Sequence, residues 1–223
     1  MDGWTVLAVM APGVDFRNQV TMALPSAHRD GEATRERLLR AALDLYTTTG
    51  FLGTTTPALA ARAGVAEGTI YRHFTSKEHL LNEAHRRAHV WALETLAALE
   101  ADRVRRGPER LAYFARQIVD KAAQDAPLIR MLFSTVHEPF LDEPSRAARR
   151  GFREGVIQLV AMGKSDGQVR SGPAEVWAEI WLVIVGYAAE RVATGEWTAE
   201  GAPVGLTLEA AWNAIAARAP GTS

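Results

Sequence analysis

Residues 34–81 constrain this chain more than any other stretch. Two short helical patterns there meet at Ala63-Gly64-Val65, and the second carries hydroxyls, a basic residue and aromatics on one side. Thr34 is expected to cap a first helix whose apolar positions Leu38, Leu39, Ala42, Leu45 and Tyr46 recur at helical spacing, with Gly50 ending it. Thr56 is expected to cap the second, because Pro57 suits a first helical position and disfavours helix in the residue before it. That helix runs to Ala63. Gly64 takes the sharp turn, a third helix spans 67–74, and Ser76 caps a fourth running from Lys77 to about Glu100. Two short helices around a glycine turn form a helix-turn-helix, in which the second helix enters the major groove while the first braces on the backbone.

Leu59, Ala60, Ala63, Val65, Ile70 and Phe74 have the spacing of the small core that fixes the two helices at their angle. The outer face of the third helix is left with Glu67, Gly68, Thr69, Tyr71, Arg72 and His73. Thr69 suits a base edge or a thymine methyl, and Arg72 a guanine, a phosphate or plain solvent. Tyr71, His73 and Lys77 suit phosphates, as do the hydroxyls of Thr54, Thr55 and Thr56 beside the free amides of a helix start. The whole chain has a formal net charge of -1, a poor match to nucleic acid, but residues 34–81 hold six basic against four acidic side chains. So weak a local charge argues for two copies acting together.

Gly50-Phe51, Thr54-Thr55, Leu59-Ala60, Ala63-Gly64-Val65, Gly68-Thr69-Ile70-Tyr71, His73-Phe74 and Ser76-Lys77-Glu78 resemble the N-terminal signature of TetR-type repressors. The resemblance covers about fifty residues and is dense enough to be highly specific. It implies an all-helical homodimer with a three-helix DNA-binding head and a larger helical domain that binds a small molecule and dimerises through its last two long helices. One position departs: the family usually has Ser or Thr capping the recognition helix where this chain has Ala66. Losing a cap costs about 1 kcal/mol. Glu67 in the first turn offsets part of that through the helix dipole, though an acid near DNA is repelled unless it accepts from a cytosine amine.

At 223 residues the chain can bury a sizeable core. Zero cysteines exclude disulfides, thiolate zinc sites and cysteine nucleophiles. No stretch approaches the ~20 apolar residues of a membrane span, so a cytoplasmic protein without membrane partners is expected. Residues 1–33 read as a disordered arm or an over-extended start, with Met22 as the expected initiator; Arg17 and Arg29 are sparse for a minor-groove arm.

The division expected is therefore 34–81 as the DNA-binding head and 82–223 as the effector-binding and dimerisation domain. Breaks at 107–108, 126–127, 143–144, 163–167, 171–173 and 194–205 leave about five further helices, the last from about Leu206 to Arg218. Trp91, Phe114, Met131, Phe133, Phe152 and Trp177 supply large apolar surface suited to a hydrophobic effector, with His137 as a polar contact or a loop residue. His79 and His85 read as surface residues. On the helix 174–193, Trp181, Val185, Ala188 and Val192 form an apolar stripe. Paired with Leu208, Ala211, Trp212 and Ile215, that stripe is expected to build a two-fold bundle between subunits, the rival being burial inside one subunit.

The expected function is a homodimeric, ligand-released repressor of a near-palindromic operator, with no cofactor or metal. A ligand-independent activator or architectural protein is the alternative. An all-helical enzyme is a distant third: there is no nucleophile elbow, phosphate loop or metal-spaced cluster, and Glu175 and Glu179 share a helical face without a base.

Overall fold

The computed structural model describes residues 26–102 and 105–217, and all of the regular structure there is helical. The helices are α1 (Ser26–Thr48), α2 (Thr56–Ala63), α3 (Glu67–His73), α4 (Lys77–Ala101), α5 (Gly107–Gln124), α6 (Ala126–Phe133), α7 (Glu143–Ser165), α8 (Ala174–Ala193) and α9 (Ala202–Ile215). A 3-10 turn, Glu138–Phe140, joins α6 to α7. The only extended pairing among these residues is one isolated bridge between Val169 and Ala216. The architecture is the expected all-α one, a three-helix head followed by a larger helical domain.

α1 begins well before Thr34, which is an interior residue whose hydroxyl donates back to the Asp30 carbonyl at 2.8 Å. A threonine that bonds its own helix looks like a cap in sequence. The expectations for Met22 and Arg17, and for the side chain of Arg29, lie outside the described residues. α9 starts at Ala202, with Pro203 in its first turn, earlier than the expected Leu206.

α4 is the spine of the molecule. Leu81, His85, Ala88, Ala92, Leu96 and Leu99 follow one another at helical spacing and are all buried. α1 lies against α4 and α6, so head and larger domain share a continuous core running from Leu38 to Ile215. α5, α7 and α8 complete that core, with Phe114 stacked on Trp181 at 6.3 Å. α9 closes the far side on α8 and α5. No helix among the described residues is long and apolar enough to cross a membrane.

Candidate nucleic-acid interface

The head is built from local chemistry. Thr55, extended at φ −99° and ψ 157°, caps α2 by accepting the Ala58 amide at 3.3 Å. The cap is thus Thr55 and not Thr56, and Pro57 takes the second helical position, where its missing N–H also costs nothing. Gly64 is left-handed at φ 65°, which lets the Val65 amide close back on the Ala60 carbonyl at 3.0 Å and end α2. Leu59, Ala60, Ala63, Ile70 and Phe74 are buried and Val65 half-buried, so the expected small core forms against α1. The Arg35 guanidinium stacks 5.2 Å from the Phe74 ring and pairs with Glu83, tying the end of α3 to α1 and α4.

α3 has no side-chain cap at Ala66, as its sequence implies. Its amides are instead flanked by Glu67 in the first turn, with Arg72 and His73 in the last, a charge order that suits the helix dipole. Glu67, Gly68, Arg72 and Tyr71 stand in solvent, Tyr71 at 56% exposure, while Thr69 and His73 are half-buried. Thr55 is exposed and Thr56 half-buried beside them. The Thr55 oxygen accepts inside the cap, which leaves its O–H proton free to donate outward. The residues thus gathered form one outward surface of three threonine hydroxyls, a phenol, an imidazole and a guanidinium, donors of the kind that read phosphates and base edges, beside the one carboxylate of Glu67.

Two expected contacts face inward instead. Thr54 is buried, and its hydroxyl donates to the Gly50 carbonyl at 2.7 Å. Lys77 donates from Nζ to the carbonyls of Phe51 and Thr54, each at 2.9 Å, and lies 4.2 Å over the Phe51 ring. Both side chains satisfy carbonyls of the α1–α2 connection, which no helix ladder serves. They brace the connection behind the surface. Tyr46 joins them by donating its hydroxyl to the Lys77 carbonyl at 3.2 Å, and burial pushes its phenol well above the ordinary range.

The candidate effector residues divide. Phe114, Met131, Phe152 and His137 are buried. Phe133 is half-buried against Phe152, with ring centroids 6.4 Å apart. Trp91 lies apart on the α4–α5 surface under Lys121, and Trp177 sits at the start of α8, where its indole N–H donates to the Ser171 carbonyl at 3.2 Å. These residues do not share one cavity.

The dimer stripe is corrected in the same way. Trp181, Val185, Ala188, Val192, Ala211 and Ile215 are buried within the subunit, while Leu208 and Trp212 are half-buried beside a groove on α5. α8 is apolar nearly all round, so periodicity alone did not say which stripe turns inward. The outward stripe is Val176, Ile180, Val183 and Tyr187, joined by Leu206 of α9.

Sequence reasoning placed His85 on the surface, yet it is fully buried and stacks on His89 at 4.1 Å. His89 donates from Nδ1 to the His85 carbonyl at 2.9 Å. Burial lowers both pKa values, to about 3 for His85 and about 4 for His89, and the nearby Arg149 charge adds to the effect. Both imidazoles are neutral at pH 7. The signal was present: His85 falls in register with Leu81, Ala88 and Ala92. Among the described residues no group of three or more His, Asp or Glu is placed to hold a metal ion.

Residues 38–84 match the family of bacterial regulatory proteins, tetR family. No curated protein matches the chain. Among solved structures the chain is similar to a TetR family protein from Vibrio parahaemolyticus, at 27% identity and TM-score 0.61, over 83% of this chain and all of that one. It is also similar to a TetR family transcription regulator from Marinobacter aquaeolei VT8, at 20% identity and TM-score 0.71, over 86% of this chain and 100% of that one. A third likeness is a TetR family transcriptional regulator from Agrobacterium tumefaciens, at 20% identity and TM-score 0.67, over 84% and 100% of the two chains.

Proposed function

We propose that this chain is a TetR-type regulator and works as a homodimeric repressor that binds a near-palindromic operator and is released by a small effector. The observation that carries the reading is the outward surface of α3: Tyr71, Arg72, Thr69, His73, Glu67 and Gly68 stand clear of the core beside Thr55 and Thr56, while Ile70 and Phe74 anchor the helix beneath. Residues 34–81 would act as the reading head and 82–223 as the effector and dimerisation domain, with the cytoplasm as its place of work. In this division Tyr71, His73, Thr55 and Thr56 contact phosphates, Thr69 and Arg72 reach base edges, and Thr54 and Lys77 hold the surface from behind.

Dimerisation is assigned to the outward stripe of α8. Val176, Ile180, Val183 and Tyr187 follow a 4-3-4 spacing, the seam that two helices use to interlock. Leu206 extends it onto α9. Two heads joined this way would enter successive major grooves about 34 Å apart. An effector need only favour the dimer arrangement with the wrong head spacing, and about 1.4 kcal/mol of differential binding lowers operator affinity tenfold.

The test is a gel-shift titration at fixed salt with duplexes recovered by selection from a random pool. Tyr71→Ala should weaken binding to every sequence, and Thr69→Ala should relax the preference at one base position. Unchanged affinity after Tyr71→Ala refutes the contact assignment.

A further inference from the structure

The concave spaces of the larger domain differ in chemistry. One, about 620 Å³ between α1, α6 and α8, is an open groove bridged by the Arg130–Glu190 ion pair at 3.2 Å. A narrower slot of about 230 Å³ lies between α6, α7 and α8. Its walls are Leu132, Phe133, Phe152, Leu182 and Val183, and its rim carries Ser134, Thr135, Arg149, Arg153 and the carboxylate of Glu179. Thr135, Arg149 and Arg153 also line an outer space of about 490 Å³, to which Arg146 and Arg150 contribute from the same face of α7. The slot therefore has an apolar interior and a mouth where guanidiniums outnumber the carboxylates of Glu179 and Glu138.

Each of those arginines is paired. Arg146 and Arg149 share Glu138, Arg150 pairs with Glu143 at 2.6 Å, and Arg153 pairs with Glu179 of α8. Four cations thus meet three carboxylates in these direct pairs, and Glu138 is the shared one. Arg149 is the most enclosed of the four, its side chain 20% exposed. Behind Phe152, whose ring lies 5.9 Å from that of His89, the stacked imidazoles contribute no charge. Full charge is confined to the mouth, where a ligand anion keeps partial contact with water and its desolvation cost stays low.

We propose that this slot is the effector site and that its ligand is a small amphipathic anion, with the apolar body along Phe133, Phe152 and Leu182 and a carboxylate on the forks of Arg149 and Arg153. Binding itself stands on the slot alone; its consequence rests on the reading of the chain as an effector-released DNA binder. A ligand carboxylate on Arg149 takes the place of Glu138. Glu138 opens the 3-10 turn whose last residue, Phe140, stacks on Phe51 of the head at 4.6 Å and accepts a hydrogen bond from Asn82 of α4 at 3.0 Å. Exchange of one carboxylate for another at Arg149 thereby leaves Glu138 to Arg146 alone and loosens the segment on which the head rests.

The experiment is calorimetric titration of the full chain with octanoate, octanol and octylamine. Octanoate should bind saturably and about tenfold or more tighter than octanol, the difference an arginine–carboxylate contact makes. Octylamine, cationic at neutral pH, should not bind. Arg149→Gln should remove the preference for octanoate over octanol. Glu138→Gln should tighten octanoate a few-fold by removing the competing carboxylate, and it decides the matter if the Arg149 variant does not fold. No saturable octanoate binding, equal octanoate and octanol affinity, or weaker binding by Glu138→Gln each overturns the proposal. Octanoate that binds with the expected preferences yet leaves a selected duplex bound supports the slot and counts against effector release. Duplex release by octanoate that neither variant alters places the ligand elsewhere and overturns the slot.

Discussion

Removing the charge of Lys77 separates two roles a basic residue at the edge of a DNA-reading head can play. Lys77→Met keeps the aliphatic stem and deletes the ammonium, leaving the carbonyls of Phe51 and Thr54 without the donor that reaches each at 2.9 Å. Hydrogen bonds to a charged group contribute about 1.5–3 kcal/mol apiece, and the cation over an aromatic face another 0.5–1 kcal/mol or so. The side chain is only half-buried and the contributions share one ammonium, so they do not add fully; a loss of about 2–3 kcal/mol is expected. Against a total stability of about 5–15 kcal/mol that is readily measured by urea unfolding, with protein concentration held fixed because a dimer's stability depends on it. The second readout is the dependence of duplex affinity on salt. A lysine that neutralises a phosphate lowers the slope by about 1 when removed, whereas a lysine bonded to its own backbone leaves the slope unchanged. A variant as stable as the parent to within about 0.5 kcal/mol, with a slope reduced by about one, would show that Lys77 grips DNA and that the carbonyl clamp is not its working role.

Three further outcomes follow from the same structure. Ala66→Ser places a hydroxyl at an extended cap position, φ −70° and ψ 145°, and should raise the unfolding free energy by about 1 kcal/mol; no gain in urea midpoint refutes the idea that α3 lacks its cap. Acid should destabilise the fold through the buried histidines. Their unfolded pKa values lie near 6.5 and the folded ones at about 3 and 4, so the unfolded chain binds more protons throughout that window and stability falls as pH drops below 6.5. The slope reaches about 1.4 kcal/mol per pH unit for each histidine, buried His137 shifts in the same direction, His85→Leu should remove one histidine's share of the slope, and a flat profile between pH 7 and 5 refutes the assignment. Val183→Arg, at a position 70% exposed in the subunit, should yield a folded monomer in sedimentation at micromolar concentration; an unaltered dimer moves the interface off this stripe of α8.

Features that depend on neighbours in sequence were legible, and those that depend on rotation or distance were not. The Gly64 turn, the Ser76 cap of α4 and the opposed faces of Tyr71 and Phe74 follow from local rules, and all are present. The inward bonds of Thr54 and Lys77 were not legible because their partners are backbone carbonyls, which sequence chemistry cannot weigh against a phosphate; those of Lys77 lie 23 and 26 residues away. The inward stripe of α8 was hidden by the helix being apolar on both sides, whereas α5, with one apolar face, admits only one orientation. His85 is a different failure: its register on α4 was readable, and residue type outweighed it. The slot on α7 was invisible because Arg146, Arg149, Arg150 and Arg153 look like one solvated basic face until α6 and α8 enclose Arg149 and Arg153.

Head and larger domain are not beads on a linker, and this bears on how any effector must act. Asn82 of α4 bonds the segment before α7 in both directions, donating to the Phe140 carbonyl at 3.0 Å and accepting the Asp142 amide at 2.8 Å. One turn along, Arg86 donates to both oxygens of Asp142, at 2.9 and 2.8 Å, and to Ser145. Burial raises the Asp142 carboxyl, but hydrogen bonds from Ser145 and Arg86 outweigh it and hold the pKa at about 2, so this clamp stays ionised at any physiological pH. α4 carries Lys77, the prop of the α1–α2 connection, at one end and Asn82 and Arg86 a turn or two later. A shift of the 3-10 turn therefore cannot be absorbed in a flexible joint; it acts on Phe51 through Phe140 and on α4 through Asn82 at once. Coupling of this kind needs a segment with two arrangements and a ligand that prefers one of them. Glu138–Phe140 is the segment placed to supply both arrangements, since it touches the arginine mouth at its first residue and the head at its last.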